Sequence, residues 1–271
     1  MNLISQVLRD KRKNSNCALI PFLTAGYPSI DLTIKALLTL DRQGADIIEL
    51  GIPYSDALAD GPLIQNASRI ALNQGVYIEQ VLYILSKTHL KIVAPIVIFT
   101  YYNPILVRGL SRFLREISQF GVKGLIIPDL PIEETDYVLC LCKEYKLELI
   151  LFIAPTSSES RITNIINKAP GSVYLVSSTG VTGIRSSINY DINIISSYIK
   201  SKTDKLVMLG FGISSPAQVS ILHKLNVTID AIVVGSAFTE ILTKEFNNSD
   251  KNFDSIEELG IFCKKMKLAM M

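Results

Sequence analysis

Short apolar blocks recur along the whole chain, each followed by a turn and then by a longer segment whose apolar positions return every three or four residues. The blocks are ALIPFL (18–23), DIIEL (46–50), APIVIF (94–99), GLIIP (124–128), ELILFI (148–153), SVYLVS (172–177), KLVML (205–209) and DAIVV (230–234). They are continuous rather than alternating, the pattern of strands buried on both faces, so they predict parallel strands separated by helices. The segments between them read as helices over 30–43, 104–120, 133–145, 158–168, 190–201 and 216–225.

About eight strands, each followed by a helix, predict an α/β fold of the (β/α)8 TIM barrel type. Further helices are expected at 2–12 and 254–268. A doubly wound open sheet is the alternative, but it ordinarily places GxGxxG after its first strand, and TAGYP (24–28) stands there instead. No linker-like Pro/Ser/Gly tract divides the chain, so residues 1–271 are expected to form a single domain. In a barrel the loops after the strands converge on one face, and chemistry is expected there.

Composition narrows the classes. With 48% hydrophobic and 19% charged residues the chain has ample material for a core. A net charge of +2, scattered, leaves no footprint for nucleic acid or an anionic membrane. The densest cluster, Lys11-Arg12-Lys13, reads as the solvated end of the first helix, as do Lys264, Lys265 and Lys267 near the other terminus. Four cysteines (Cys17, Cys140, Cys142, Cys263) include no CxxC pair, so buried reduced thiols are expected rather than zinc or redox chemistry. The first residues lack the apolar core of a signal peptide, and no run approaches the ~20 apolar residues of a membrane span. A soluble protein in a thiol-reducing compartment is expected.

The stretch ELGIPYSDALADGP (49–62) holds three carboxylates just past the second strand. Glu49, set between Ile48 and Leu50, would be partly desolvated, and a carboxyl raised toward neutrality can both give and take a proton. The plainer alternative is a strand-end glutamate paired with a cation. Asp60 is either a second acid facing the same pocket or an N-cap for the helix starting near Pro62; Asp56 is ordinary turn chemistry.

Glycines follow the later strands: Gly180 and Gly183 after the sixth, Gly210 and Gly212 after the seventh, and Gly235 with Ser236 after the eighth. Barrels commonly hold phosphate there, on backbone N–H groups and a helix N-terminus. No strand end offers a Schiff-base lysine, His89 and His223 lie beside no acidic cluster, and neither GxSxG nor a Cys–His pair occurs. What remains is acid–base work on a small phosphorylated substrate, with no metal.

The motifs PFLTAGYP (21–28), ELGIPYSDALADGPLIQNA (49–67), GLIIPDLPIEE (124–134), STGVTG (178–183), GFGISSPAQV (210–219) and VVGSA (233–237) together closely resemble the tryptophan synthase alpha-subunit family, in order and across about residues 15 to 268. The resemblance implies a retro-aldol lyase that cleaves indole-3-glycerol phosphate to indole and glyceraldehyde 3-phosphate without metal or organic cofactor. By resemblance Glu49 is the general acid–base, Asp60 accepts the indole N–H and stabilises charge on the ring, and Tyr174 orients the glutamate. Gly183, Gly212, Ile213, Gly235 and Ser236 would hold the phosphate, and Phe22, Phe99, Ile127, Ile153 and Phe211 would form the indole pocket. Thr182, in a flap over 178–189, would close over the substrate and link to Asp60.

The family further implies an α2β2 complex in which indole passes to a beta subunit that alone carries pyridoxal phosphate, with loop 53–60 facing that partner. Ala57 stands where the family usually has proline, which loosens the unbound loop and bears on coupling between the subunits. Two further possibilities compete: an activating subunit with negligible turnover of its own, and a stand-alone indole-releasing lyase. A bacterial cytoplasm, or a plastid stroma for a plastid-encoded chain, is the expected compartment.

Overall fold

The computed structural model describes residues 2–14, 16–176, 190–210, 212–224, 228–247 and 254–270. Its strands are β1 (Ala18–Thr24), β2 (Ile48–Gly51), β3 (Ile96–Phe99), β4 (Gly124–Ile126), β5 (Glu148–Ile153), β6 (Ser172–Val176), β7 (Leu206–Gly210) and β8 (Ala231–Val234). Each pairs in parallel with its neighbours in chain order, and β8 returns to β1, so the sheet closes into a (β/α)8 barrel. The apolar blocks therefore sit where the pattern predicts.

The helices are α1 (Leu3–Lys13), α2 (Ile30–Arg42), α3 (Pro62–Asn73), α4 (Ile78–Thr88), α5 (Tyr102–Arg108), α6 (Leu110–Gln119), α7 (Thr135–Glu144), α8 (Glu159–Lys168), α9 (Tyr190–Lys202), α10 (Pro216–Lys224), α11 (Ser236–Asn247) and α12 (Ser255–Ala269). Where the periodicity predicts one helix over 104–120 there are two, because Gly109 at φ +88° breaks the run. The sequence pattern does not separate α4 and α11 from their surroundings.

Strand parity divides the core in two. Ile20, Phe22, Val97, Phe99, Ile126, Ile150, Tyr174, Met208 and Val233 fill the barrel's interior, while Leu19, Leu23, Ile98, Leu125, Leu149, Ile153 and Leu175 pack outward against the helices. Successive side chains of a strand point to opposite faces, so one residue of offset decides between barrel lumen and helix layer.

The interior is sealed at the N-terminal end of the strands by α1, whose Ile4 and Leu8 join the inner cluster. Glu148, the first residue of β5, is buried there and accepts from the Ser5 N–H at 3.2 Å, from the Ser5 hydroxyl at 2.6 Å and from the Ser172 hydroxyl at 2.6 Å. Its charge faces the first turn of α1, where the helix dipole favours an anion. The Lys11-Arg12-Lys13 cluster is only partly solvated. Arg12 forks onto Asp230 at 2.5 and 2.8 Å and Lys11 reaches Asp46 at 2.8 Å, whereas Lys13 pairs with the exposed Asp10. Lys267 of α12 also binds Asp46, while Lys264 and Lys265 are exposed. With its floor fastened in this way, the barrel is open to chemistry at the other end.

Candidate active site

Glu49 stands on β2 facing the barrel interior, in register with Phe22 on β1 and Val97 on β3. It is 2% exposed, and its Oε2 has no hydrogen-bond partner among the described residues. Burial, and then the charge of Asp60, push its carboxyl up to about 8. The alternative of a cation-paired glutamate is not what is found. An uncompensated carboxyl in an apolar barrel holds its proton at neutral pH and can deliver it.

Asp60, 5% exposed, follows the loop that leaves β2. It does not cap α3: the N-cap is Gly61, with Pro62 at the first helical position, and no side chain caps the helix. The Asp60 carboxylate turns inward, where Oδ2 accepts from the Tyr101 hydroxyl at 3.1 Å. Burial pushes its carboxyl up to about 7, against the pull of that hydrogen bond. Two acids in unlike surroundings share a site, and the more deeply buried Glu49 keeps its proton to higher pH than Asp60.

The loop between them is held in shape. Gln65 of α3 donates to the carbonyls of Ala57 at 3.1 Å and Asp60 at 3.0 Å, and the Ala59 N–H donates to the Tyr101 oxygen at 3.0 Å. Ala57 is buried in the inner cluster, whereas Leu58 beside it is 84% exposed. Asp56 is exposed; its carboxylate accepts from the adjacent Ser55 hydroxyl and its carbonyl from the Leu58 N–H, in keeping with turn chemistry.

Around the acids runs an aromatic arc. Phe22 meets Phe99 edge-on at 5.7 Å, Phe99 meets Phe152 at 6.3 Å, and Phe152 stacks on Tyr174 at 4.5 Å with an interplanar angle of 14°. Tyr174 is buried, and the charges of Glu49 and Asp60 add to that burial in pushing its hydroxyl well above the usual phenol range. The ring fits because β7 ends in glycine: a Cβ at Gly210 would lie 2.0 Å from the Tyr174 hydroxyl.

Phe22, Phe99 and Tyr174 thus join Glu49 and Asp60 at the barrel mouth. Ile127 and Ile153 do not. Both pack in the outer layer against the helices, and the inward positions are Ile126 and Phe152, one residue earlier on each strand. Register carries the signal, since Phe152 pairs with Tyr174. Gly212, at φ +82°, and Ile213 form the turn after β7, where Gln218 accepts the Ser214 N–H at 2.7 Å. Gly235 immediately precedes α11, which Ser236 begins. Thr182, Gly183 and Phe211 lie outside the described residues. Tyr101 and Gln65 do not stand out in the sequence; a tyrosine two residues past the end of a strand gives no distinctive signal.

Among the described residues no group of three or more His, Cys, Asp or Glu is arranged to hold a metal ion, and no helix is long and apolar enough to cross a membrane. Cys17, Cys142 and Cys263 are buried and Cys140 is exposed; all four are free thiols. Burial pushes the Cys142 and Cys263 thiols up to about 12.

Residues 8–271 match the family described as tryptophan synthase alpha chain. The chain is 59% identical over 270 residues to the tryptophan synthase alpha chain of Gracilaria tenuistipitata var. liui, covering 100% of this chain and 97% of that one. It is 46% identical to the chain of the same description from Synechocystis, with 100% of both covered. Among solved structures, tryptophan synthase from Mycobacterium tuberculosis superposes with a TM-score of 0.89 at 30% identity, covering 99% of this chain and 98% of that chain. The alpha subunit from Legionella pneumophila str. Paris does so with a TM-score of 0.85 at 28% identity, covering 100% and 98%. A closed barrel with two buried acids at its mouth, matched from end to end by these relatives, belongs to the tryptophan synthase alpha chain family.

Proposed function

We propose that Glu49 and Asp60 carry out the family's lyase reaction in this chain, the retro-aldol cleavage of indole-3-glycerol phosphate to indole and glyceraldehyde 3-phosphate. Glu49, protonated at rest, delivers its proton to indole C3. That carbon becomes tetrahedral and the ring nitrogen takes up positive charge, which Asp60 stabilises as an anion hydrogen-bonded to the N–H. The glycerol hydroxyl next to the ring then gives its proton to the Glu49 carboxylate. As it does so the C–C bond breaks, its electrons return to the ring, and an aldehyde forms. Glu49 ends the cycle protonated, as it began, so the step balances without a cofactor on this chain.

The observation that carries this reading is a pair of acids both pushed toward neutrality by burial, one with an unpaired oxygen, beside an aromatic wall. Tyr174, stacked on Phe152, is proposed to fix the place of the glutamate, and Phe22, Phe99 and Phe152 to flank the indole. The turn at Gly212 and Ile213 and the start of α11 at Gly235 and Ser236 are proposed to hold the phosphate, with Gly183. Phe211 and Thr182 keep their proposed roles in the pocket and the flap.

Family membership brings a beta-subunit partner. We place loop 53–60 against it, in an α2β2 assembly that passes indole onward. Its relatives from Gracilaria and Synechocystis fit a plastid stroma or a bacterial cytoplasm. The test is indole release from indole-3-glycerol phosphate by the purified chain, with and without the beta subunit. Release is expected in both, strongly stimulated by the partner, and Glu49→Gln is expected to lose nearly all turnover while still binding substrate. Wild-type kcat in that variant would defeat the role of Glu49, and no indole under either condition would leave only an activating subunit.

A further inference from the structure

Tyr101 occupies the turn between β3 and α5, and its ring is buried between Tyr54, at 5.1 Å, and Phe99, at 6.1 Å. Neighbouring backbone fixes its course: the Thr100 N–H donates to the Ile126 carbonyl at 3.0 Å, and the Tyr102 N–H donates to Asp129 Oδ1 at 2.9 Å. The hydroxyl has two partners. It accepts from the Ala59 N–H at 3.0 Å and lies 3.1 Å from Asp60 Oδ2.

A phenol has a single proton to give. With the loop amide donating to the oxygen, that proton is directed at Asp60, and the bond strengthens when the carboxylate is charged. Asp60 Oδ1 accepts no hydrogen bond from the described residues, so one oxygen is tethered and the other is left for a ligand. We propose that Tyr101 is a positioning residue for the reaction: its hydroxyl favours the charged form of Asp60 and aims Oδ1 at the indole N–H, while tying the carboxylate to the partner-facing loop through Ala59.

The electrostatics support the geometry. Glu49 from β2 and Tyr174 from β6 face the Asp60 carboxylate, and Asp129, from the loop after β4, faces Tyr101; of these groups none is a cation. Burial raises the Asp60 carboxyl, and the Tyr101 hydrogen bond is what opposes it. Without the hydroxyl, Asp60 takes up its proton at higher pH, and a protonated carboxyl no longer stabilises charge on the ring. The inference rests on the proposed role of Asp60.

The experiment is the pH profile of kcat/KM for indole-3-glycerol phosphate, with the full chain and its beta subunit, in wild type, Tyr101→Phe, Asp60→Asn and the double variant. Tyr101→Phe keeps the ring and removes the hydroxyl. Its acidic limb is expected to move about one pH unit upward, with about a fivefold loss at pH 7 relative to wild type that recovers as pH rises. In the Asp60→Asn background the same change should alter kcat/KM less than about twofold. A carbon-13 titration of the Asp60 carboxyl in Tyr101→Phe should show the same upward shift whether or not turnover survives. A profile lowered uniformly with its limb in place, or an unmoved carboxyl titration, overturns the proposal and leaves Asp60 intact. Wild-type activity in Asp60→Asn overturns the role of Asp60 and this proposal with it.

Discussion

Glu49 is held protonated by the same burial that makes it useful, and that has a cost to the fold. Its folded value is about 8 and that of Asp60 about 7, against ordinary values of 4.5 and 3.8 in the unfolded chain. Across this range the native chain binds more protons than the unfolded one, so stability falls as pH rises through it. The contribution is complete below about pH 4 and gone above about pH 8. Glu49→Gln removes the buried charge. At pH 8.5 it is expected to melt roughly 2–4 °C above wild type, the shift about 1 kcal/mol produces in a chain of this size. Calorimetry at pH 5 should find the gap closed or reversed. The glutamate is legible in the sequence because a carboxylate inside an apolar strand stands out against its neighbours and must be desolvated there. Its orphaned oxygen is not legible, since that depends on which side chains fail to arrive from other strands.

At the scale of elements, the eight apolar blocks mark the strands because burial on both faces leaves a continuous pattern, and the barrel then follows from their spacing. The same continuity hides which residues look inward. Ile127 and Ile153 read as pocket residues, and both point at helices. An alternating strand declares its faces, but a strand buried on both sides does not. Lys11-Arg12-Lys13 shows the complementary blindness: Arg12 seeks Asp230, a partner 218 residues away that no local pattern links to it. α1 also depends on Ser5, whose hydroxyl meets Glu148. Ser5→Ala leaves that buried carboxylate short of a donor, at a cost of about 1–3 kcal/mol. Because the floor lies at the end of the barrel opposite the acids, denaturant midpoints should fall while kcat for indole release stays as in wild type.

For the whole molecule, the barrel separates stability from function by putting them at opposite ends. The floor is closed by ion pairs and α1, and the mouth presents the acids, the aromatic arc and a loop with an outward leucine. Leu58, highly exposed beside the buried Ala57, is an apolar side chain without cover in the isolated chain, on the loop proposed to meet the beta subunit. Leu58→Asp is expected to weaken co-sedimentation with the beta subunit and to abolish most of its stimulation, while the isolated chain keeps its basal indole release. Unchanged association would remove this loop from the interface.

Asp46 is gripped by Lys11 from the first helix and by Lys267, 221 residues downstream of it, from the last. During synthesis on a ribosome Lys267 emerges 221 residues after the aspartate, so until then Lys11 and the Leu19 N–H, 2.8 Å from its Oδ2, hold it without the second cation. The barrel's floor is in this sense completed late, by a cation made long after the aspartate it fastens.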